Sequence, residues 1–307
     1  MPIVVNTNSA ATTASFNLSK SNEALRKSLG RLSSGKRITT PADDAGGLAV
    51  ALKLASKTNR TTGVIQNVQN AISYMQVQDS SLQTVGKVLD RMAELRTMAQ
   101  DVTKNSSDIE NYSKEFIELQ SQLKQIKNET FNGISLFSAD GYSSATDPTM
   151  NEQIAGLPAT LNDGTALGAF TRYGRTLYTH PGGQTNDGSI SINVVNLEYV
   201  LEVGDLDDTR YSSTWGGTAT GGATGVNLGN VSLGNIDGVV ITAANASAKG
   251  LTADGFVSSI LAVSMGQFTA AIERLADVRA ENGAEQNRAM QVIDMLQSSL
   301  TNLEAAH

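Results

Sequence analysis

The stretch RLSSGKRITTPADDAGGLAVA, residues 31–51, places a glycine, a proline and a glycine pair between segments that favour helices. In a helix interior, Gly and Pro cost about 1 and 3 kcal/mol relative to Ala. A single helix through this stretch would therefore be unfavourable. The composition instead predicts a joint between two helices, with Gly35 ending the first one.

The second half of the same stretch predicts how the next helix begins. Thr40 suits the capping position and Pro41 the first helical position, and Asp43 can reach back to the amide of the cap. Asp43 and Asp44 also carry the negative charge that a helix N-terminus favours. Since no histidine or nucleophile accompanies the two carboxylates, we expect a hinge with helix caps and not a catalytic pair.

Before the joint, four leucines recur at steps of seven, four and three residues, which indicates one narrow apolar face. They are Leu18, Leu25, Leu29 and Leu32. Such a seam is typical of a coiled coil, and a helix with so little apolar surface needs a partner. We expect this N-terminal arm to fold fully only in an assembly.

After the joint, the apolar periodicity from Val64 to Val102 predicts one long helix that only Asp79 conspicuously interrupts. The polar segment KNSSD, residues 104–108, then predicts a turn, and a second helix follows as far as Ile126. Helices joined by so short a turn pack antiparallel. Helical periodicity returns near Phe256 and continues to the C-terminal residues.

The middle of the chain differs in composition and in the periodicity of its apolar residues. The alternation in SISINVVNLEYVLEV, residues 189–203, predicts strands, and the Gly- and Thr-rich residues 214–230 predict a loop. We therefore predict a mainly α fold of long antiparallel, coiled-coil-like rods with a β-rich insertion. Its expected parts are an arm with hinge at 1–44, rod segments at 45–140 and 251–307, and an outer insertion at 141–250.

Composition excludes several classes of function. The formal net charge of −7, from 23 basic and 30 acidic residues, argues against nucleic acid and anionic membrane surfaces as partners. The chain has no cysteine, and its two histidines, His180 and His307, are far apart in sequence. We expect no catalytic, cofactor-binding or metal site. The first residues also lack the pattern of a signal peptide, and no run is long enough for a membrane span.

The opening stretch closely resembles RLSSGxRINSAxDDAAGLAIA, a signature of bacterial flagellins. Three further segments resemble that family in order and spacing: VNTN at 5–8, ETFNGISLF at 129–137 and GAEQNR at 283–288. Gly46 and Asn282 depart from the family pattern, which has Ala and Leu at these positions. Flagellins also continue into a second terminal helix that pairs with the N-terminal arm, and we expect this chain to lack it.

The resemblance implies a function and partners. It indicates a structural, non-enzymatic subunit that is secreted through the type III flagellar export apparatus and self-assembles into the extracellular filament used for motility. The implied partners are other flagellin subunits, the export apparatus, and the cap and junction proteins. Two alternatives stay open, namely a hook-filament junction protein and a secreted adhesin or immune ligand with a coiled-coil stalk.

One segment, LDRMAELRTMAQ at 89–100, resembles the flagellin surface on which an innate-immune receptor docks. The resemblance makes Arg91 and Leu95 candidate contacts, with Glu115 on the next helix as a third. The periodicity supports another interpretation, in which Leu95 is a core residue of the rod and Arg91 a solvated charge.

Overall fold

The computed structural model describes residues 8–138, 151–154, 172–184, 186–203, 228–229, 235–236, 239–240 and 251–306. The chain divides into two compact units. One contains the residues up to Thr62 and those from Ser298 onward, and the other is Gly63–Gln297. The four-part division expected from the sequence stays a prediction. Most of the predicted loop at 214–230 lies outside the described residues.

The first unit contains α1 (Ser9–Ser34), the linker at 35–44 and the beginning of α2 (Ala45–Ala99). Asn8 caps α1, because its side chain accepts hydrogen bonds from the amides of Ala10 and Ala11 at 3.2 and 3.3 Å. Gly35 ends the helix with φ 67°, a left-handed conformation that glycine adopts without steric cost.

In the second unit, α2 packs against α3 (Ser106–Lys127) and α5 (Met265–Ala306). Arg91 and Ser81 of α2 bond Glu115 and Glu129, so the chain after the turn runs back along α2. The contacts with α5 also reverse in order. The Cβ that Gly86 lacks would lie 3.2 Å from Leu275, and the backbone of Met75 accepts from Asn282. Both helix pairs are therefore antiparallel, as predicted.

The core of this unit consists of apolar side chains from all three long helices. The rings of Phe116 and Phe268 meet edge to face, with centroids 6.4 Å apart. Further fully buried side chains are Leu82, Leu89, Met92, Leu95 and Leu123. Asn105 begins α3 in a capping box with Asp108, which agrees with the turn predicted at 104–108.

Residues 251–264, here called the strap, form an ordered, buried segment before α5. The periodicity predicts a helix from Phe256, but α5 begins at Met265 and the strap contains only one 3-10 turn, Ile260–Ala262. Val257, Ile260 and Val263 are fully buried. Their spacing imitates a helix face because the strap lies in the groove between helices, and the prediction of a helix here was wrong.

The insertion begins with a hairpin, β1 (Thr130–Phe131) and β2 (Ile134–Ser135), whose loop residues Asn132 and Gly133 both have positive φ. A four-stranded sheet follows with the order β3-β6-β5-β4. Its strands are β3 (Phe137–Ser138), β4 (Asn151–Ile154), β5 (Arg172–Tyr178) and β6 (Ser189–Asn196). Strand β6 pairs parallel with β3 and antiparallel with β5. A small pair, β7 (Asn235–Ile236) and β8 (Val239–Val240), is separate.

The predicted strand at 189–203 ends early. After β6 the chain forms a short helix, α4 (Leu197–Leu201). Asn196 causes the change, since its side chain accepts from the amides of Glu198 and Tyr199 at 3.0 and 3.3 Å and so caps a helix. The strand prediction was therefore correct to Asn196 and wrong beyond it.

The predicted fold class is confirmed: long helices dominate, and short strands form the insertion. Among the described helices, none combines the length and the apolar character that a membrane crossing requires.

Candidate assembly face and hinge

The predicted leucine seam is the exposed face of α1. Leu18, Leu25, Leu29 and Leu32 leave 56 to 82% of their surface exposed, and α1 buries none of its residues. At 100° per residue, the four side chains lie within about 60° of one another around the helix axis. The face is apolar apart from Ser21 and Asn22, which lie between Leu18 and Leu25, and among the described residues nothing covers it.

The hinge differs from its prediction in the residue that caps α2. The helix begins at Ala45, after the turn at 41–43. Asp44 caps it: its Oδ1 accepts from the amide of Gly47 at 2.8 Å, and its carbonyl accepts from the amide of Leu48 at 3.0 Å. Thr40 and Pro41 lie in the linker, so their predicted roles as cap and first helical residue are corrected.

The physical reason is the side chain of Asp43. Its Oδ2 accepts from the amides of Thr39 and Thr40 at 3.3 and 3.4 Å and from the Thr39 hydroxyl at 3.1 Å. The amide of Asp43 itself donates to the carbonyl of Thr40 at 3.0 Å. These bonds close a separate turn at residues 40–43, so the helix can start only after it.

The other oxygen of Asp43 faces α1. Lys27 bonds this Oδ1, and Arg31 approaches it to 3.8 Å. Only 6% of the Asp43 side chain is exposed. The hydrogen bond from Lys27, followed by those from Thr39 and Thr40, holds the pKa of this carboxyl well below its usual range. The two adjacent aspartates thus act in opposite directions: Asp43 holds the end of α1, and Asp44 begins α2.

Lys27 and Arg31 were not predicted as partners of the hinge. The signal was present, because two cations four residues apart on α1 share a helical face and precede two adjacent aspartates. Around the axis of α1, Lys27 points about 170° and Arg31 about 130° from the centre of the leucine seam.

The glycine pair differs in how much space each residue has. A Cβ at Gly47 would lie 2.4 Å from Asp44 Oδ2 and 3.0 Å from Ile38 Cδ1. At Gly46, the nearest atom would be 3.7 Å away. Only Gly47 therefore requires glycine, which explains how Gly46 can stand where alanine is usual.

The three candidate receptor contacts separate into a buried and an exposed set. Leu95 is fully buried, as the core interpretation predicts, and it cannot contact a partner without unfolding. Arg91 and Glu115 are exposed and bonded, Nε to Oε1, at 2.7 Å, and Arg91 also bonds Glu94 at 3.0 Å. Glu115, then Glu94, raise the pKa of Arg91.

Asn282 shows how a polar residue fits beside the helical seam. It is buried, and its Nδ2 donates to the carbonyl of Met75 at 3.1 Å, while its Oδ1 accepts from Gln286 at 3.2 Å. Both polar groups are satisfied, so the departure from leucine does not break the packing of α5 on α2.

No three His, Cys, Asp or Glu residues of the described chain lie close enough together to hold a metal ion. His180 lies in the β5–β6 turn, where its Nδ1 accepts from the amide of Gly182 at 3.0 Å. His307 lies outside the described residues.

The arm, hinge and first rod helices coincide with a known sequence family. Residues 5–142 match the family described as the bacterial flagellin N-terminal helical region. Over this region the chain is similar to the bacterial flagellins. The resemblance stated from the sequence is thereby confirmed.

Individual flagellins agree with this assignment. The phase 1 flagellin of Salmonella naestved and the flagellin of Salmonella budapest are each 33% identical to this chain over 141 residues. The match covers 46% of this chain and 28% of either relative, so it spans less than a third of their length.

A solved structure shares the fold. The putative flagellar hook-associated protein from Vibrio parahaemolyticus superposes with a TM-score of 0.54 at 14% identity, over 87% of this chain and 98% of that one. At such low identity the likeness shows the fold alone. It indicates that the helical architecture of this chain is also found in that protein.

Proposed function

We propose that this chain is a structural subunit of the bacterial flagellar filament, which self-assembles into a helical polymer for motility. The observation that carries the proposal is the uncovered leucine seam of α1, within a region that matches the flagellin N-terminus. A helix that buries nothing of its own and exposes a row of leucines gains stability by packing in an assembly.

The proposed partners follow from this function. They are other subunits of the same kind, the export apparatus that delivers them, and the cap and junction proteins at the filament's ends. The proposed location is extracellular, in the flagellum. The long antiparallel helices supply axial stiffness, and the β-rich insertion projects outward.

The hook-filament junction is less well supported. The shared fold does not separate the two functions, but the match at 33% identity is to flagellins. Nothing in the structure specifically favours an adhesin or an independent immune ligand.

Gene deletion and labelling in the source bacterium test the proposal. Deleting the gene should remove the filament and leave the hook, and immunogold against this chain in the parent strain should label the whole filament. Label confined to the hook-filament junction would indicate a junction protein. Normal filaments without label would overturn the proposal.

The seam itself is tested by Leu25→Asn with Leu29→Asn in the same gene. We expect export without filament growth, because two polar residues in the seam oppose its packing. The matched control is Lys20→Asn with Glu23→Asn, which changes exposed positions of α1 about 150° from the centre of the seam and leaves the net charge unchanged. Normal filaments from the seam variant would contradict the assigned role of α1.

We also propose that an innate-immune receptor contacts Arg91 and Glu115. Their exposure and direct pairing support a joint polar contact surface. Leu95 no longer belongs to that surface, because it is buried.

A further inference from the structure

Few contacts join α1 to the later residues of the first unit. The ion pairs of Lys27 and Arg31 with Asp43 are here called the tie. The helix buries none of its 26 residues, and in the described part of the chain its ion pairs to later residues are those of Lys27 and Arg31 with Asp43. One carboxylate therefore accounts for the charged contact between the arm and the linker.

That carboxylate is itself rigidly held. Three hydrogen bonds from Thr39 and Thr40 orient Asp43, and its neighbour Asp44 is fixed as the cap of α2. The position of Oδ1 is thus set by the linker and the start of α2. A cation of α1 that bonds this oxygen is therefore held at a fixed position relative to the linker and the start of α2.

The direction of the tie matters because α1 has two distinct faces. Lys27 and Arg31 lie roughly opposite the leucine seam around the helix axis. When Asp43 holds the cationic face, the seam must point away from the linker. A seam directed inward would be hidden from a neighbouring subunit.

We propose that Asp43 is a positioning residue for assembly: it holds α1 by its cationic face so that the leucine seam is presented outward. The inference rests on the proposed filament function for its purpose, but the tie itself exists in the single subunit. Asp44 carries the same charge one residue later, but it starts α2 and its cationic neighbour is Arg37 of the linker at 3.8 Å, not a residue of α1.

Spin labels can measure the tie directly, since the chain has no cysteine of its own. Labels at Ser19→Cys and Lys53→Cys, both exposed, report the separation of α1 and α2 within the first unit. The parent chain should give one narrow distance distribution. Asp43→Asn should broaden it, and so should Lys27→Gln with Arg31→Gln, which removes the tie from the other side.

The matched control is Asp44→Asn, which removes the neighbouring charge but keeps a side-chain oxygen that can cap α2. Its distribution should remain narrow. A second measurement is tryptic cleavage after Lys36 or Arg37 in the linker, which should become about tenfold faster in Asp43→Asn, since a charged hydrogen bond is lost and the open state gains population. Unchanged distances and cleavage in Asp43→Asn would overturn the tie.

Filament assembly tests the positioning role, because a residue that only stabilises the linker would not alter the number or length of filaments. In the source bacterium, Asp43→Asn should give few or short filaments from an exported subunit, and Asp44→Asn should give normal ones. Normal filaments from Asp43→Asn, together with a broadened distribution, would overturn the positioning role while leaving the tie. If the parent chain labels no filament, the proposed function fails, and the spin-label distances still decide whether Asp43 holds α1.

Discussion

Arg279 of α5 and Asp79 of α2, 200 residues apart in sequence, are joined by two hydrogen bonds, Nε to Oδ1 at 2.9 Å and Nη2 to Oδ2 at 3.2 Å. Asp79 is the polar interruption in the otherwise apolar periodicity of α2. The pairing explains it: the carboxylate holds α5 in register and raises the pKa of Arg279.

Breaking this pair should cost little in spite of its geometry. The side chains of Arg279 and Asp79 are 39% and 36% exposed, so solvent screens their attraction. We expect a coupling energy of about 0.5–1 kcal/mol from urea unfolding of Asp79→Asn, Arg279→Gln and the double variant. The exposed pair Lys114–Glu110 of α3 is the control and should couple more weakly. A coupling of zero between Asp79 and Arg279 would show that the pair does not set the register.

Gln120 should be far more important for stability than its polarity suggests. It is fully buried, and its side chain bonds both the carbonyl and the amide of Val257 at 2.9 Å. Gln120→Leu would leave two buried backbone groups without partners, so we expect a loss of about 2–4 kcal/mol in the free energy of unfolding. Gln122→Leu, on the exposed side of α3, should change it by less than about 0.5 kcal/mol. Equal effects of the two variants would contradict the assigned role of Gln120.

Two glycines of α2 should respond differently to the same substitution. A Cβ at Gly63 meets nothing within 4 Å, whereas a Cβ at Gly86 would lie 3.2 Å from Leu275 Cδ2. We expect Gly63→Ala to stabilise the isolated chain by about 0.5–1 kcal/mol through helix propensity. Gly86→Ala should gain less or lose stability, because Leu275 must shift. Thermal unfolding of both variants checks this, and an equal gain would mean that the α2–α5 contact is looser than described.

The tie of α1 should be insensitive to mild acid. The pKa of Asp43 is lowered in the folded chain, so its contribution is complete above about pH 4, the ordinary pKa of an aspartate, and is lost as pH falls through the lowered value. The cations that face this carboxylate are Lys27 and Arg31. Spin-label distances between α1 and α2 should therefore not change from pH 7 to about pH 4 and should broaden at lower pH. Broadening already between pH 7 and 5 would contradict the assignment.

Substitutions of Leu95 and Arg91 should affect different properties, namely the stability of the fold and the binding of the receptor. Leu95→Ala removes a fully buried side chain and should lower the free energy of unfolding by about 2–5 kcal/mol. Arg91→Ala and Glu115→Ala remove exposed groups, so the fold should persist while receptor binding weakens. Thermal unfolding and a receptor-binding assay measured on the same samples distinguish the two effects. Unchanged binding by both charge variants would rule out this contact surface.

Local signals predicted the helices well. Gly35 ends α1 and the Asn105–Asp108 box begins α3, because a cap depends only on residues within one turn of it. The start of α2 could not be predicted in this way. Thr40 and Asp44 are both suitable caps by sequence, and the turn that Asp43 closes with Thr39 and Thr40 decides for Asp44.

The errors in the insertion and strap differ in origin. The alternation in residues 197–203 looks like a strand, but Leu197–Leu201 form α4, and Arg274 of α5 donates to the carbonyls of Val200 and Glu202 at its end. The apolar spacing of the strap looks like a helix, but Gln120 and Ser113 of α3 bind its backbone instead. In the strap, long-range hydrogen bonds thus replace the local ones that a helical periodicity assumes, whereas the Asn196 cap begins α4 and Arg274 bonds its end.

The strap has a consequence for how such chains can diverge. Gln120, Ser113 and Arg96 bond main-chain atoms of Val257, Ile260 and Val263, so these bonds recognise the strap by its backbone, and the three side chains of the strap are apolar and buried. The strap follows the insertion directly, and its binding to α2 and α3 does not depend on the sequence of the insertion. The insertion can therefore change in length or sequence during evolution without compensating substitutions in α2 and α3.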